Sequence, residues 1–325
     1  MGKGKMKAMV YTEYGAPEVL QLKEVDKPVP GNHDLLIAVK ATAVNSGDCR
    51  LRRADPFVAR FIFGLFKPKA TILGVVFSGE IVEVGNEVTL FKEGDEVFGL
   101  TDMRMGAYAE YLCLPETGAL ALKPNNMTNE EAAVIPFGGH TALHFLKQAN
   151  IQKGQKVMVY GASGAVGTAA VQLAKYYGAE VTGVCSTVNV EMVKSLGADK
   201  VLDYTKEDIT QNRDQFDVIF ETVNKISISK INKLLKKTGI LILGSAMLAE
   251  ALQGLWISLT SNKKVLMGEA KATAEDMAFI KKLVEDGQFK PVIDRTYSLE
   301  QIAEAHTYAE KGHKKGNVAI VVAEK

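Results

Sequence analysis

Apolar and polar positions change rhythm once along this chain. From Met6 to about Lys123, short β-rich runs ("KAMVY", "DLLIAVKATAV", "GEIVEVG", "DEVFGL") are broken by turn residues and predict a β-leaning segment. From about Asn126 strands alternate with helices, beginning with "NEEAAVIPFGGHTALHFLKQA", a helix that Pro136 and the paired glycines are expected to break or kink. Then come "KVMVY", a helix over about Ala165–Tyr177, "EVTGVC", a helix through Val193 ending at Gly197, and "KVLDY". "FDVIF", the helix "ISKINKLLKK" and "ILILGS" follow. This alternation implies right-handed crossovers and a parallel sheet covered on both faces by helices. The closing stretch from Lys290 predicts one more helix and a final strand.

Composition narrows the class without changing that picture. The 325 residues are 47% hydrophobic and 24% charged, enough for a large core and, by size, two domains. The formal net charge of +1 gives no general attraction to nucleic acid or an anionic membrane surface, so any basic site is local. No apolar run is long enough to span a bilayer, and "MGKGKMKAMVY" lacks the apolar core of a signal peptide; a cytoplasmic protein is expected. Cys49, Cys113 and Cys185 lie far apart and read as reduced, structural thiols.

The most specific local signal is "VYGASGAVGTAAVQLAKYYGAEVTGVCSTVN". On the GxGxxG spacing it reads Ala162, Gly164, Gly167, with the first glycine replaced by alanine. Gly164 lets backbone approach a pyrophosphate, and Gly167 lets helix and strand pack closely. The turn Ala162, Ser163, Gly164, Ala165 and Val166 would then offer N–H groups and the positive end of a helix dipole to a diphosphate. Packing glycines, or another nucleotide-like ligand such as a methyl donor, are the alternative. An NAD site usually carries an acid about 20 residues further on, accepting from the ribose 2′-hydroxyl. Ser186 stands there. Ser186, Thr187 and Asn189 can donate to a 2′-phosphate, which favours NADPH; small polar residues that merely end a strand are the plain alternative.

Read together and in order, "AVNSGD", "GEIVEVG", "GDEVFG", "GAYAEY", "AAVIPFGGHTAL", "GASGAVG", "VCSTVN", "SLGADKVLDY" and "KKGNVAIVV" resemble the zinc-independent quinone oxidoreductase group of the medium-chain dehydrogenase/reductase superfamily. The resemblance spans essentially the whole chain. It implies an α/β protein with a GroES-like β-rich catalytic domain at 1–125 and 290–325 and a Rossmann doubly wound parallel-sheet NADP-binding domain at 126–289. A cleft where NADPH meets substrate and a homodimer joined through the cofactor domains are implied too. Relatives often carry a basic residue in the turn after the second strand; Val188 departs from this. Tyr204 matches a tyrosine beside the same phosphate or the adenine, Lys315 (or its neighbour Lys314) a basic residue of the closing motif. Thr141 and Gly244 match positions flanking the nicotinamide.

Zinc-dependent relatives place a ligand cysteine where Asn45 stands and a His-Glu pair where Val75 and Val76 stand, so no metal is expected. Without a Lewis acid, simple ketones and alcohols are handicapped substrates. A small apolar electrophile, a quinone or an α,β-unsaturated carbonyl, spreads the incoming charge onto an oxygen that hydrogen bonds stabilise. Asn45 is the candidate catalytic residue, donating to or orienting that oxygen; Asp48, beside it at the substrate pocket, holds the loop through Asx-type bonds. Phe63, with Phe57, Phe61 and Phe66, forms either an apolar substrate wall or plain core. Two other functions stand against the reductase: an NAD(P)-dependent alcohol dehydrogenase, and a dinucleotide-binding protein without turnover.

Overall fold

The computed structural model describes residues 4–211, 214–245 and 248–323. The chain forms two compact units: Met1–Phe137, Ala272–Asp286 and Pro291–Lys325 in one, Gly138–Lys271 and Gly287–Lys290 in the other.

The first unit is built on β-strands. β1 (Lys5–Val10) and β2 (Gln21–Asp26) form an antiparallel pair. A seven-stranded sheet is assembled from β3 (Asp34–Val44), β4 (Val76–Val84), β5 (Glu96–Leu100), β6 (Tyr111–Pro115) and β7 (Leu120–Leu122). Two strands from the far end of the chain, β14 (Ile293–Ser298) and β15 (Asn317–Val321), complete it. β3 is buried along nearly its whole length, which is why "DLLIAVKATAV" reads as an almost continuous apolar run. Its last residues pair antiparallel with β15, Val44 opposite Val318 and Thr42 opposite Ile320. β14 was not foreseen, because most of "IDRTYS" is polar and none of it is fully buried.

The short helix α1 (Ser46–Arg53) leaves β3 directly. The sequence reading made this stretch a turn. α1 buries Asp48, Cys49 and Arg52, so the apolar stripe that announces a helix is missing. α2 (Arg60–Phe63) follows.

α3 (Asn129–Ala149) is a single helix of 21 residues, against the expected break at Pro136. A reciprocal capping box starts it: Glu131 N–H donates to Thr128 Oγ1 at 3.2 Å and Thr128 N–H to Glu131 Oε2 at 3.0 Å. Pro136 removes only one internal hydrogen bond, and buried Ala132–Ile135 and Ala142–Leu143 hold the turns on either side. The paired glycines serve packing instead. A Cβ on Gly138 would lie 2.3 Å from the carbonyl oxygen of Ala165, so this turn of α3 can approach that backbone only without a side chain.

The second unit is an all-parallel sheet. Its strands are β8 (Lys156–Tyr160), β9 (Glu180–Cys185), β10 (Lys200–Asp203), β11 (Phe216–Glu221), β12 (Leu235–Leu243) and β13 (Lys264–Leu266). Their spatial order is β10-β9-β8-β11-β12-β13, which counted within the unit is 3-2-1-4-5-6, the Rossmann order, with its switch point between β8 and β11. α4 (Ala165–Tyr176) and α5 (Val190–Ser195) cross between the first three strands. The expected helix "ISKINKLLKK" stops early: α6 spans Ile228–Ile231, and Leu235–Lys237 already belong to β12. Apolar spacing alone did not separate the helix from the strand that succeeds it. α7 (Leu248–Thr260) precedes β13. α8 (Ala274–Glu285), placed by the sequence in the cofactor domain, packs on β7 of the first unit, while Asn126 Nδ2 donates to Val284 O at 3.2 Å. The chain then returns briefly to the second unit, where the Gln172 amide and the Lys290 backbone exchange bonds of 2.8 and 3.1 Å. α9 (Ile302–Glu310) links β14 to β15.

Candidate active site

In the second unit, β8 ends at Tyr160 and the turn Gly161–Gly164 opens α4. Gly161 and Ala162 donate their N–H groups to the Val184 carbonyl at 3.1 and 3.0 Å, which ties the turn to β9. The two motif glycines have different reasons. A Cβ on Gly167 would lie 2.0 Å from Gly161 O, so helix and strand are too close for any side chain. A Cβ on Gly164 would meet only Gly161 O at 3.6 Å, and φ there is −83°. Nothing inside the protein requires glycine at 164. Open space outside the turn, in front of the half-buried Ala165 and Val166 at the helix start, fits a diphosphate that needs the backbone bare. Thr141 lies on α3 one turn beyond Gly138, whose backbone touches Ala165. Gly244, just after β12, donates its N–H to Glu221 O at the end of the neighbouring β11 at 2.8 Å.

The end of β9 departs from the expectation for Thr187 and Asn189. Thr187 Oγ1 bonds the Asp203 carboxylate, and a carboxylate only accepts, so the Thr187 proton is committed inward. Thr205 also donates to Asp203, through Oγ1 at 2.6 Å and its N–H at 3.0 Å, and these bonds hold the Asp203 carboxyl below its ordinary range. Asn189 is buried, and its Nδ2 donates to Ser186 Oγ at 3.2 Å. Asn189 therefore orients Ser186, whose own proton points elsewhere. Ser186 is the donor of this trio that remains available. Tyr204 stands next to it, half exposed, with its N–H on Cys185 O at 3.2 Å. Asp203 went unnoticed in the sequence because it is one strand away and reaches the turn only through the β9–β10 register, Asp203 opposite Cys185.

In the first unit, Asn45 sits at the N-cap of α1 and is buried, with φ −108° and ψ 161°. Its Nδ2 has no hydrogen-bond partner, an orphaned buried donor of the kind folding avoids without a reason. Asp48, fully buried, accepts from Asn45 N–H at 3.1 Å and from Gly74 N–H at 3.2 Å. Burial pushes its carboxyl up to about 6, while those N–H groups, the Tyr108 hydroxyl and the nearby Asn45 side chain pull the other way.

Behind Asp48 lies a polar core that the sequence reading left unassigned. Tyr108 Oη is 3.2 Å from His306 Nε2, and Cys49 Sγ is 3.4 Å from His306 Nδ1. Burial, aided by nearby Arg52, holds His306 neutral down to about 3, and burial lifts the Cys49 thiol to about 12. Arg52, itself fully buried, pairs with Glu310 of α9 and so pins α1. The paired residues lie 198 to 258 positions apart in sequence, so no local spacing could have revealed them. Phe63 packs against the same core, whereas Phe57, Phe61 and Phe66 are exposed and lie outside it. Of the closing lysines, Lys314 turns inward, donating to Gly316 O, and burial lowers its ammonium to about 8. Lys315 is exposed, its N–H on Asp294 at 3.1 Å. Among the described residues, no three His, Cys, Asp or Glu side chains gather as metal ligands.

Residues 31–124 match the alcohol dehydrogenase GroES-like domain family and residues 196–320 the zinc-binding dehydrogenase family. The 2-methylene-furan-3-one reductase of Solanum lycopersicum is 35% identical over 97% of this chain and 79% of its own length. The chloroplastic NADPH-dependent alkenal/one oxidoreductase of Arabidopsis thaliana is 34% identical over the same shares. The chain belongs to the zinc-independent quinone oxidoreductase group of the medium-chain dehydrogenase/reductase superfamily. The structure of the quinone oxidoreductase from Coxiella burnetii, another relative in this group, superposes with a TM-score of 0.89 at 29% identity, covering 98% of this chain and 100% of that one. The GroES-like and Rossmann folds of the group are those of the two units, and a nicotinamide dinucleotide is the cofactor its fold holds.

Proposed function

We propose that the protein is an NADPH-dependent reductase that transfers hydride to quinones or α,β-unsaturated carbonyls without zinc. The observation that carries this reading is the unpartnered, buried Nδ2 of Asn45, a donor prepared for an oxygen on which charge develops. When bound, the nicotinamide supplies the hydride. The backbone of Ala162–Val166 takes the diphosphate, and Ser186 donates to the 2′-phosphate beside Tyr204, with Lys315 adding positive charge. Thr141 and Gly244 border the nicotinamide. Asn45 donates to the substrate oxygen from a desolvated position, where one hydrogen bond counts for more than in water. Asp48 is a positioning residue: both its accepted N–H bonds are structural, and they fix the N-cap from which Asn45 projects. Water supplies the final proton.

Oxidation of NADPH against NADH with 1,4-quinones, alkenals and enones, with and without chelator, tests the reading. NADPH is expected to be favoured and chelator to have no effect. Asn45→Ala should lower kcat/KM for enones by about 100-fold, the scale of removing one oxyanion donor, and leave NADPH affinity unchanged. Equal turnover by the variant would remove Asn45 from the mechanism.

The protein works as a homodimer on this reading. Exposed Leu252, Leu255, Trp256 and Leu259 form a stripe at helical spacing on α7, next to the edge strand β13. The cysteines are unpaired, in keeping with a reducing compartment such as the cytoplasm.

A further inference from the structure

The exposed part of the aromatic run forms a surface of its own. Phe57, Val58, Phe61 and Ile62 are 62–67% exposed, Leu65 43% and Phe66 88%. Six large apolar side chains within ten residues thus face water, more than the scattered apolar exposure of an ordinary surface. The segment is fastened from behind. Phe63 packs into the core of the first unit, Tyr14 Oη donates to Gly64 O at 2.8 Å, and Lys69 N–H donates to Phe63 O at 2.8 Å. The Arg60 guanidinium lies 4.8 Å from the Tyr14 ring and 5.1 Å from the Phe57 ring. Lys69 Nζ donates to Ile62 O at 3.1 Å, and Lys67 is exposed. From Pro56 to Gly79 the chain carries Arg60, Lys67 and Lys69 and no Asp or Glu.

We propose that Phe57–Lys69 is a lipid-facing knob that docks the protein on an anionic bilayer surface. Aromatic and aliphatic side chains flanked by Lys and Arg suit the boundary between acyl chains and anionic headgroups. A second copy is the poorer occupant, since a two-fold contact of this patch with itself sets Arg60, Lys67 and Lys69 against their own copies. The whole-chain charge of +1 does not oppose the assignment, because screening confines the attraction to nearby groups. Docking extends the proposed function: apolar quinones and long alkenals partition into bilayers, so the knob would bring the enzyme to its acceptor.

Flotation of the full chain with vesicles tests this without any turnover. The probes are phosphatidylcholine alone and phosphatidylcholine with about 30 mol % phosphatidylglycerol, each at about 0.05 M and 0.5 M salt. Binding at least about tenfold stronger to the anionic vesicles, weakened by salt, is expected. Ile62→Ser/Phe66→Ser and Lys67→Glu/Lys69→Glu should each weaken it by about tenfold or more, while kcat/KM toward a water-soluble acceptor and Tm stay at wild-type values. Equal binding to both vesicle types, variants that bind like wild type, or an Ile62→Ser/Phe66→Ser protein that changes oligomeric state would overturn the proposal. Because binding is read apart from catalysis, its failure leaves the reductase reading intact, and loss of that reading leaves the docking result standing.

Discussion

On the proposed function, Ser186 is the residue on which cofactor choice turns. Asn189 supports its oxygen from below and Thr187 is spoken for by Asp203, so a single hydroxyl faces the place a 2′-phosphate would take. Ser186→Asp would set a carboxylate against that phosphate and offer an acceptor to a 2′-hydroxyl. Like-charge contact costs several kcal/mol, so the ratio of kcat/KM for NADPH over NADH should fall by about 100-fold; steady-state kinetics with both cofactors checks it. At this scale the sequence was half legible. Position along the motif pointed to Ser186, because the glycine turn fixes where the second strand ends. It could not apportion protons among Ser186, Thr187 and Asn189, since the group that claims the Thr187 proton arrives from another strand. Asn45 was named by its place in a family pattern, but the orphaned amide that gives the name chemical content is a property of packing.

At the scale of elements, helix α4 separates two uses of glycine. Gly167→Ala puts a methyl 2.0 Å from Gly161 O, an overpacking that should cost about 2–3 kcal/mol in urea unfolding and carry cofactor binding away with it. Gly164→Ala meets no internal obstacle and adopts an allowed φ, so stability should stay within about 0.5 kcal/mol of wild type. Its NADPH dissociation constant, measured by fluorescence titration, should nevertheless rise by about tenfold or more, about 1.4 kcal/mol. Long, strongly periodic elements such as α4 and the first five strands of the parallel sheet were readable in advance. Among the elements that escaped are two whose side chains break the pattern: α1, with a buried aspartate and arginine, and β14, most of it polar. Pro136 misled for the opposite reason, because burial on both sides outweighs one missing hydrogen bond.

For the molecule as a whole, two buried groups give opposite pH responses. His306 is neutral in the folded protein down to about 3, whereas an unfolded chain takes up that proton near the ordinary histidine value of 6.5. Its contribution is present above 6.5 and is lost as pH falls toward 3, at up to about 1.4 kcal/mol per pH unit. Asp48, raised from 3.8 to about 6, binds its proton earlier in the folded state. That term adds stability as pH falls from 6 toward 3.8, and the two slopes largely cancel between about pH 6 and 4. Urea unfolding of His306→Gln at pH 7, 6, 5 and 4 should expose the Asp48 slope, with stability rising relative to wild type by about 1 kcal/mol per unit below pH 6. Assembly is the other whole-molecule property: if the proposed homodimer joins through α7, Trp256→Glu/Leu259→Glu should give a monomer where the wild type gives a dimer in light scattering after size exclusion, since charge on the α7 stripe cannot be buried unpaired.

The pairing of β15 with the end of β3 sets an order of events during synthesis. Residues Ala41–Val44, which lead straight into Asn45, wait for partners at Val318–Val321 that the ribosome makes only after the whole second unit. The nucleotide-holding sheet, complete by Leu266, is available to fold well before the sheet that leads into Asn45 acquires β15. A nascent chain can therefore hold its coenzyme half in finished form while the half bearing Asn45 still has an open sheet edge. Translation that stops short of β15 would leave that edge for chaperones or neighbouring chains to cover.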